Sequence, residues 1–248
     1  MNTPGPIQLQ LYLSAPQTCS YLTGRESRTL FPAPQVPMNP VLYNALADLG
    51  FRRSGGMVYR HECDSCSACT PIRVPVDQFL PRRIQRRVWT KNRRLSVEMK
   101  PAGFDIEQFE LYGRYLQHRH PDSDMANVSE ARYLDFLVSD WCDTRFYEFR
   151  LDTELVAVAV TDRLPTGLSA VYTFFDPRWS AMSPGTYAIL WQIREAKRLG
   201  LRWLYLGFWI ADSPKMAYKS LFRPLQAYRD GAWKEFSIED SLTEEDAG

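Results

Sequence analysis

The sequence predicts an α+β fold. Three features carry that expectation: helical spacing of apolar residues at 105–118 and 129–139, three strand-like runs between 145 and 175 separated by tight turns, and a helix followed by a strand from 186 to 207. The chain has 248 residues, 45% apolar and 24% charged, a balance that belongs to folded soluble proteins and excludes disordered and fibrous classes. That length suffices for one large core or two modest ones.

Taken in order, the first third is rich in Pro, Cys and Arg and reads as short elements joined by turns. Asn39 and Pro40 open a helix whose apolar stripe is Leu42, Ala45, Leu46 and Leu49, and Gly50 stops it. Phe51 to Arg60 follows as a hairpin turning at Gly55 and Gly56. Placed on a helix, Ile84, Val88 and Leu95 fall within about 40° of one another as a docking side. Arg82, Arg83, Arg86, Arg87, Lys91, Arg93 and Arg94 then spread over the adjoining face. After a hinge at 101–103, Ile106, Phe109, Tyr112 and Leu116 line one helix, and Ser129 caps the next. Arg145 to Leu151, Leu155 to Thr161 and Leu168 to Phe175 alternate with turn residues as an antiparallel meander. A helix from Thr186 to Leu199 ends at Gly200, and Leu201 to Gly207 is a strand. This order matches the acetyltransferase-like (GNAT-like) fold.

The formal charge of +1 conceals a segregation. Residues 73–100 hold nine Lys/Arg against two acids, whereas residues 235–248 hold six acids and no base. The first is the electrostatic footprint of a polyanion partner, because too few acids are present to neutralise the stripe. No apolar run approaches the roughly 18 residues of a membrane span, and the N-terminus lacks the pattern of a secretory signal. A cytoplasmic protein is expected, consistent with an odd count of five cysteines.

Three stretches concentrate reactive groups. Cys63, Cys66 and Cys69 can converge on zinc or an iron–sulfur cluster with Cys19 or His61 as a fourth ligand, or can pack as reduced thiols; the spacing leaves both open. His120, beside Asp122 and Asp124, reads either as an acid/base pair or as a surface residue ending a helix. Lys215 and Lys219 lie four apart after a strand ending in Gly207 and Trp209, placed to share a helix face and hold an anion.

These stretches also carry a resemblance. Cys19-Ser-Tyr-Leu22 with Arg25, Ser27 to Phe31, Gly50-Phe-Arg-Arg-Ser-Gly55, the cysteine triplet leading to Arg73, Gln85 to Arg87, Arg119-His120, Ala170 to Pro177, Gly185 to Gln192, and Tyr205 to Trp209 leading to Lys215 and Tyr218-Lys219 together resemble the bacterial aspartate/glutamate leucyltransferases. These are leucyl-tRNA-protein transferases, related to the arginyl-tRNA-protein transferases. Ser183-Pro184 and Ser213-Pro214 depart from that pattern.

The resemblance implies transfer of leucine from leucyl-tRNA to the α-amine of proteins beginning with Asp or Glu, marking them for degradation by the N-end rule. It also implies an N-terminal domain peculiar to these transferases, over 1–100, and a GNAT-like domain over 101–234; the acidic composition of 235–248 by itself reads as a disordered tail. No cofactor is required by the transfer, and a monomer is expected. The roles that follow are Lys215, Lys219 and Arg119 for the acceptor carboxylate, and Tyr172 and Tyr218 for the oxyanion and leaving group. Glu148 and His120 are candidate proton carriers, and Phe174 and Trp209 line the leucine pocket. The basic stripe from Arg82 to Arg94 would bind tRNA. Arginine as donor, an acyl-CoA acetyltransferase and a non-catalytic tRNA-binding module are the alternatives. The acetyltransferase lacks support from Ser183-Pro-Gly-Thr186, which holds a single glycine where a pyrophosphate loop needs several free N–H groups.

Overall fold

The computed structural model describes residues 9–119 and 129–237. Short strands open the chain: β1 (Leu11–Leu13), β2 (Gln17–Thr18), β3 (Glu26–Ser27) and β4 (Thr29–Pro32). Helix α1 (Pro40–Ala47) begins as expected, with the Asn39 side chain accepting from the N–H groups of Val41 and Leu42. The hairpin β5 (Arg52–Ser54) and β6 (Met57–His61) turns at Gly55, whose φ of +56° a side chain rarely adopts. Strands β1-β4-β6-β5 form a small sheet, and β2 pairs with β3.

The large sheet has eight strands in the order β14-β13-β7-β12-β11-β10-β9-β8. Its middle is the expected meander: β9 (Asp143–Leu151), β10 (Glu154–Arg163) and β11 (Gly167–Phe175). Helix α5 (Pro184–Arg198) then crosses over to β12 (Trp203–Trp209), parallel to β11. Helices α3 (Ile106–Arg119) and α4 (Glu130–Leu137) cover one face, with Leu111, Tyr112, Tyr133 and Leu137 buried against Phe146, Val158 and Phe174. Helix α5 and α2 (Arg83–Lys91) cover the other, where Ile189, Ile193 and Val88 meet Val156, Leu204 and Phe149. These layers make up the predicted α+β architecture, a mainly antiparallel sheet with helices on both faces.

Several expectations are corrected. The sheet does not respect the division at residue 100. Strand β7 (Thr70–Pro75) inserts between β12 and β13 (Gln226–Arg229), and β8 (Ser96–Pro101) pairs with β9. All six β7 residues are buried, so the strand lacks the alternation by which a sequence reveals a strand. Arg73 holds it there: its guanidinium lies 3.6 Å from the Trp203 ring centroid and 4.2 Å from that of Trp233, and it donates to Asp48 and Gln226 at 2.9 Å each. The acidic segment does not begin as a tail, because β14 (Ala232–Glu235) runs through Glu235 and Phe236 is 2% exposed; residues 238–248 lie outside the described residues. In α2 the docking side is Gln85 and Val88, whereas Ile84 is 60% exposed. Gln85 accepts from the Arg82 N–H and donates to the Leu221 carbonyl, which turns a polar side chain inward and rotates the expected face.

Candidate active site at the gap between two bulged strands

β11 and β12 pair only from Gly167 and Trp203 to Ser169 and Tyr205. Beyond that point both are irregular. Val171 is an extra residue in β11 against β10, and Leu206 is an extra residue in β12 against β7. Gly207, next to the second bulge, has φ of +69°. A bulge raises local twist and leaves carbonyls outside the ladder, so the two strands part here. Two cations stand at the opening. The Arg52 Nη2 donates to the Val171 carbonyl at 3.4 Å, and a Cβ added to Gly207 would lie 3.3 Å from its Nη1. Lys219 Nζ donates to the carbonyls of Leu206 and Phe208, both at 2.9 Å. Burial, reinforced by the Arg52 charge, lowers the Lys219 ammonium to about 7.

Tyrosines gather beside the gap. Tyr172 lies edge-on to Tyr112, Tyr115 and Phe136, with ring centroids 6.0, 6.2 and 5.2 Å away. The Arg119 charge acts on both the Tyr115 and the Tyr218 phenol. Lys215 Nζ donates to the Arg119 carbonyl at 3.3 Å, at the end of α3 where unpaired carbonyls favour a cation. Desolvation pushes Tyr112 and Tyr218 up to about 12 and raises Tyr115 and Tyr172 as well, with the Arg119 charge opposing it at Tyr115, Tyr172 and Tyr218. At neutral pH these phenols keep their protons. They are hydrogen-bond donors here, not bases.

The structure therefore brings together Tyr172, Tyr218, Arg119 and Lys215, which the sequence singled out separately. Other candidates fall elsewhere. Lys215 and Lys219 do not share a helix face, because 217–221 is a short 3₁₀ turn that sends Lys219 back to β12. Phe174 is fully buried under α3 and α4, while Trp209 packs 4.9 Å from Phe236 in the core on the opposite face. They cannot line one leucine pocket. Glu148 is 1% exposed, with one oxygen accepting from Gln108 at 2.8 Å and the other from Arg150 at 2.9 Å, so its acceptor sites are taken by packing partners. His120 lies outside the described residues.

Arg82, Arg83, Arg86, Arg87, Lys91, Arg93 and Arg94 are all exposed, on α2 and beside its two ends. Cys19, Cys63, Cys66 and Cys69 border one open cavity of about 920 Å³. Their sulfurs accept from the N–H groups of Tyr21, Leu22 and Arg28 at 3.4 Å and from the Arg25 guanidinium at 3.5 Å, and Cys69 is pushed up to about 12 by burial and by the other three thiols. Among the described residues no group of three or more His, Cys, Asp or Glu side chains is gathered closely enough to hold a metal ion. Arg52 and Tyr115 are the participants that sequence reasoning passed over. Arg52 stands inside the quoted Gly50 to Gly55 motif, but nothing local separates it from Arg53.

Residues 17–87 match the family described as arginine-tRNA-protein transferase, N terminus, and residues 107–229 match its C terminus. The chain is 50% identical over 229 residues to the aspartate/glutamate leucyltransferase of Alcanivorax borkumensis, covering 92% of this chain and 95% of that one. The chain belongs to the arginine-tRNA-protein transferase family. Enzymes of the same leucyltransferase name from Pseudomonas fluorescens and Nitrosococcus oceani are 49% and 51% identical, over 91% and 90% of this chain and 96% and 94% of theirs. Among solved structures, L-PGS from Bacillus licheniformis is similar at a TM-score of 0.46, with 13% identity over 70% of this chain and 62% of that one. Within this transferase family match, the N-terminal part ends inside α2 and the C-terminal part begins in α3. No helix among the described residues is long and apolar enough to cross a membrane.

Proposed function

We propose that this chain transfers leucine from leucyl-tRNA to the N-terminal α-amine of proteins that begin with Asp or Glu. The observation that carries this reading is identity near one half, along nine-tenths of the chain, to enzymes named aspartate/glutamate leucyltransferase. In the transfer an amide C–N bond forms and the aminoacyl ester C–O bond breaks; the amine gives up a proton and the ribose 3′-oxygen takes one. The ester is already activated, so the protein's task is to hold amine and carbonyl together. An α-amine titrates near 7.7 to 8.0, so about a tenth is neutral at pH 7 and a strong base is not required.

Tyr172 and Tyr218, protonated donors beside the gap, serve the developing oxyanion and the departing 3′-oxygen. Arg119 and Lys215 lend positive charge at the same rim. The exposed stripe on α2 holds tRNA phosphates; among the described residues none of its seven cations has an ion-pair partner. The transfer needs no cofactor. Zinc or an iron–sulfur cluster would use Cys19, Cys63, Cys66 and Cys69, which would have to close around it. A new N-terminal leucine is a bulky residue that marks a protein for degradation by the N-end rule, and we place the enzyme in the cytoplasm as a monomer.

The test is transfer of labelled leucine or arginine from charged tRNA to peptides beginning with Asp, Glu or Ala. Leucine should pass to the Asp and Glu peptides only. Transfer of arginine alone reassigns the donor, and no transfer from either tRNA overturns the reading.

A further inference from the structure

Arg52 projects from β5, in the small N-terminal sheet, into the gap where β11 and β12 part. Two features make this a built position. The bulge at Val171 offers the carbonyl that takes one guanidinium N–H, and Gly207 has no side chain to block the approach from the other strand. The Phe208 ring lies 5.7 Å below the guanidinium carbon and holds the cation plane in place. Lys219 reaches the same strand, donating to the carbonyls of Leu206 and Phe208 on either side of Gly207.

Two cations thus share one recess with only neutral carbonyls as partners. Among the described residues Arg52 meets no carboxylate, and its one hydrogen bond leaves the rest of its five-donor fork for something else. Placing like charges together in a half-buried recess is unfavourable unless an anion completes it, and the Arg52 charge is one of the causes that lower the Lys219 ammonium. The anion must be small, since the recess lies between two adjacent strands of one sheet. It must also sit close to the transfer chemistry: Tyr172 directly follows Val171, and Tyr218 directly precedes Lys219.

We propose that Arg52 reads the side-chain carboxylate of the acceptor's first residue, with the Lys219 ammonium beside it, and so determines selectivity for Asp and Glu. This rests on the acceptor being a protein with an acidic N-terminal residue, as proposed above. A guanidinium suits the task because its planar fork engages both carboxylate oxygens at once. A neutral Asn or Gln in the same place would leave a desolvated cation without its counter-charge, which is a strong basis for rejection.

The experiment compares Arg52→Gln and Arg52→Lys with the natural protein. It measures binding of an Asp-starting peptide and its Asn-starting counterpart by calorimetry, KM and kcat for leucine transfer to each, and leucyl-tRNA affinity separately. The natural protein should prefer the Asp peptide by roughly 10- to 100-fold, the range that a hydrogen-bonded charge supplies. Arg52→Gln should bring that preference within about threefold, raising KM more than it lowers kcat, with leucyl-tRNA affinity unchanged. Arg52→Lys keeps the charge but not the fork and should retain only part of the preference, which decides the matter if the Gln variant fails to fold. Undiminished preference in either folded variant overturns the assignment. Loss of leucyl-tRNA affinity with the peptide preference intact also overturns it and gives the recess to a phosphate. If the natural protein binds the Asp peptide selectively but transfers no leucine, the proposed activity fails while the carboxylate site stands.

Discussion

Arg53 on β5 and Asp162 on β10 form a bidentate ion pair at 2.5 and 2.6 Å, and neither side chain is exposed to solvent. The Arg53 fork is completed by the carbonyls of Gly55 and Leu137 and the Thr144 hydroxyl, and that hydroxyl donates to Asp162 at 2.8 Å. The pair ties the N-terminal hairpin to the large sheet one residue away from Arg52. Whatever fixes Arg53 also fixes the reach of its neighbour into the gap.

Asp162→Asn should therefore destabilise the protein by roughly 3 to 5 kcal/mol, because it strands a buried guanidinium rather than removing a pair. Asp143→Asn, which breaks the partly exposed pair with Arg145, should cost no more than about 1 kcal/mol. Denaturant midpoints of the two variants measure the difference, and similar losses would contradict it.

Tyr172→Phe and Tyr218→Phe each remove one protonated donor while keeping the ring. Each should lower kcat for leucine transfer, on the order of 10²-fold where the phenol meets the oxyanion, with little change in KM. Loss expressed in KM alone would place the phenols in binding instead.

Reversing two charges on α2, Arg86→Glu with Arg87→Glu, should weaken tRNA binding and reduce the slope of log affinity against log salt by roughly 2. Charged and uncharged tRNA should lose affinity alike, since phosphate contacts do not sense the amino acid. An unchanged salt slope would remove the helix from the interface.

The Lys219 ammonium titrates near 10.5 when unfolded and at about 7 in the folded chain. Through that window the unfolded chain holds a proton that the folded one has lost, so stability rises with pH; the penalty is complete below about 7 and gone above 10.5. Between about pH 7 and about pH 8 the natural protein should gain on the order of 1 kcal/mol relative to Lys219→Met. Paired denaturant titrations at the two pH values read this difference. Identical pH dependence in the two proteins would show that Lys219 keeps its ordinary affinity for the proton.

Elements whose signals are local were legible in the residues alone. Asn39 before Pro40, Ser129 before the α4 stripe, and the turns after Leu151 and Arg163 set α1, α4 and the meander, because caps and turns depend on a few neighbouring residues. The exposed cations of α2 were legible for the same reason, since charge is carried by residue type. Tertiary structure alone decided the rest. Nothing local to Thr70–Pro75 says that it enters the sheet beside β12, and nothing local to Phe174 and Trp209 says that they face opposite cores. The site itself depends on two bulges, at Val171 and Leu206, that each arise from pairing with a different partner strand. Their coincidence opens the gap, and the buried Arg53–Asp162 pair helps to anchor the hairpin that brings Arg52 to it.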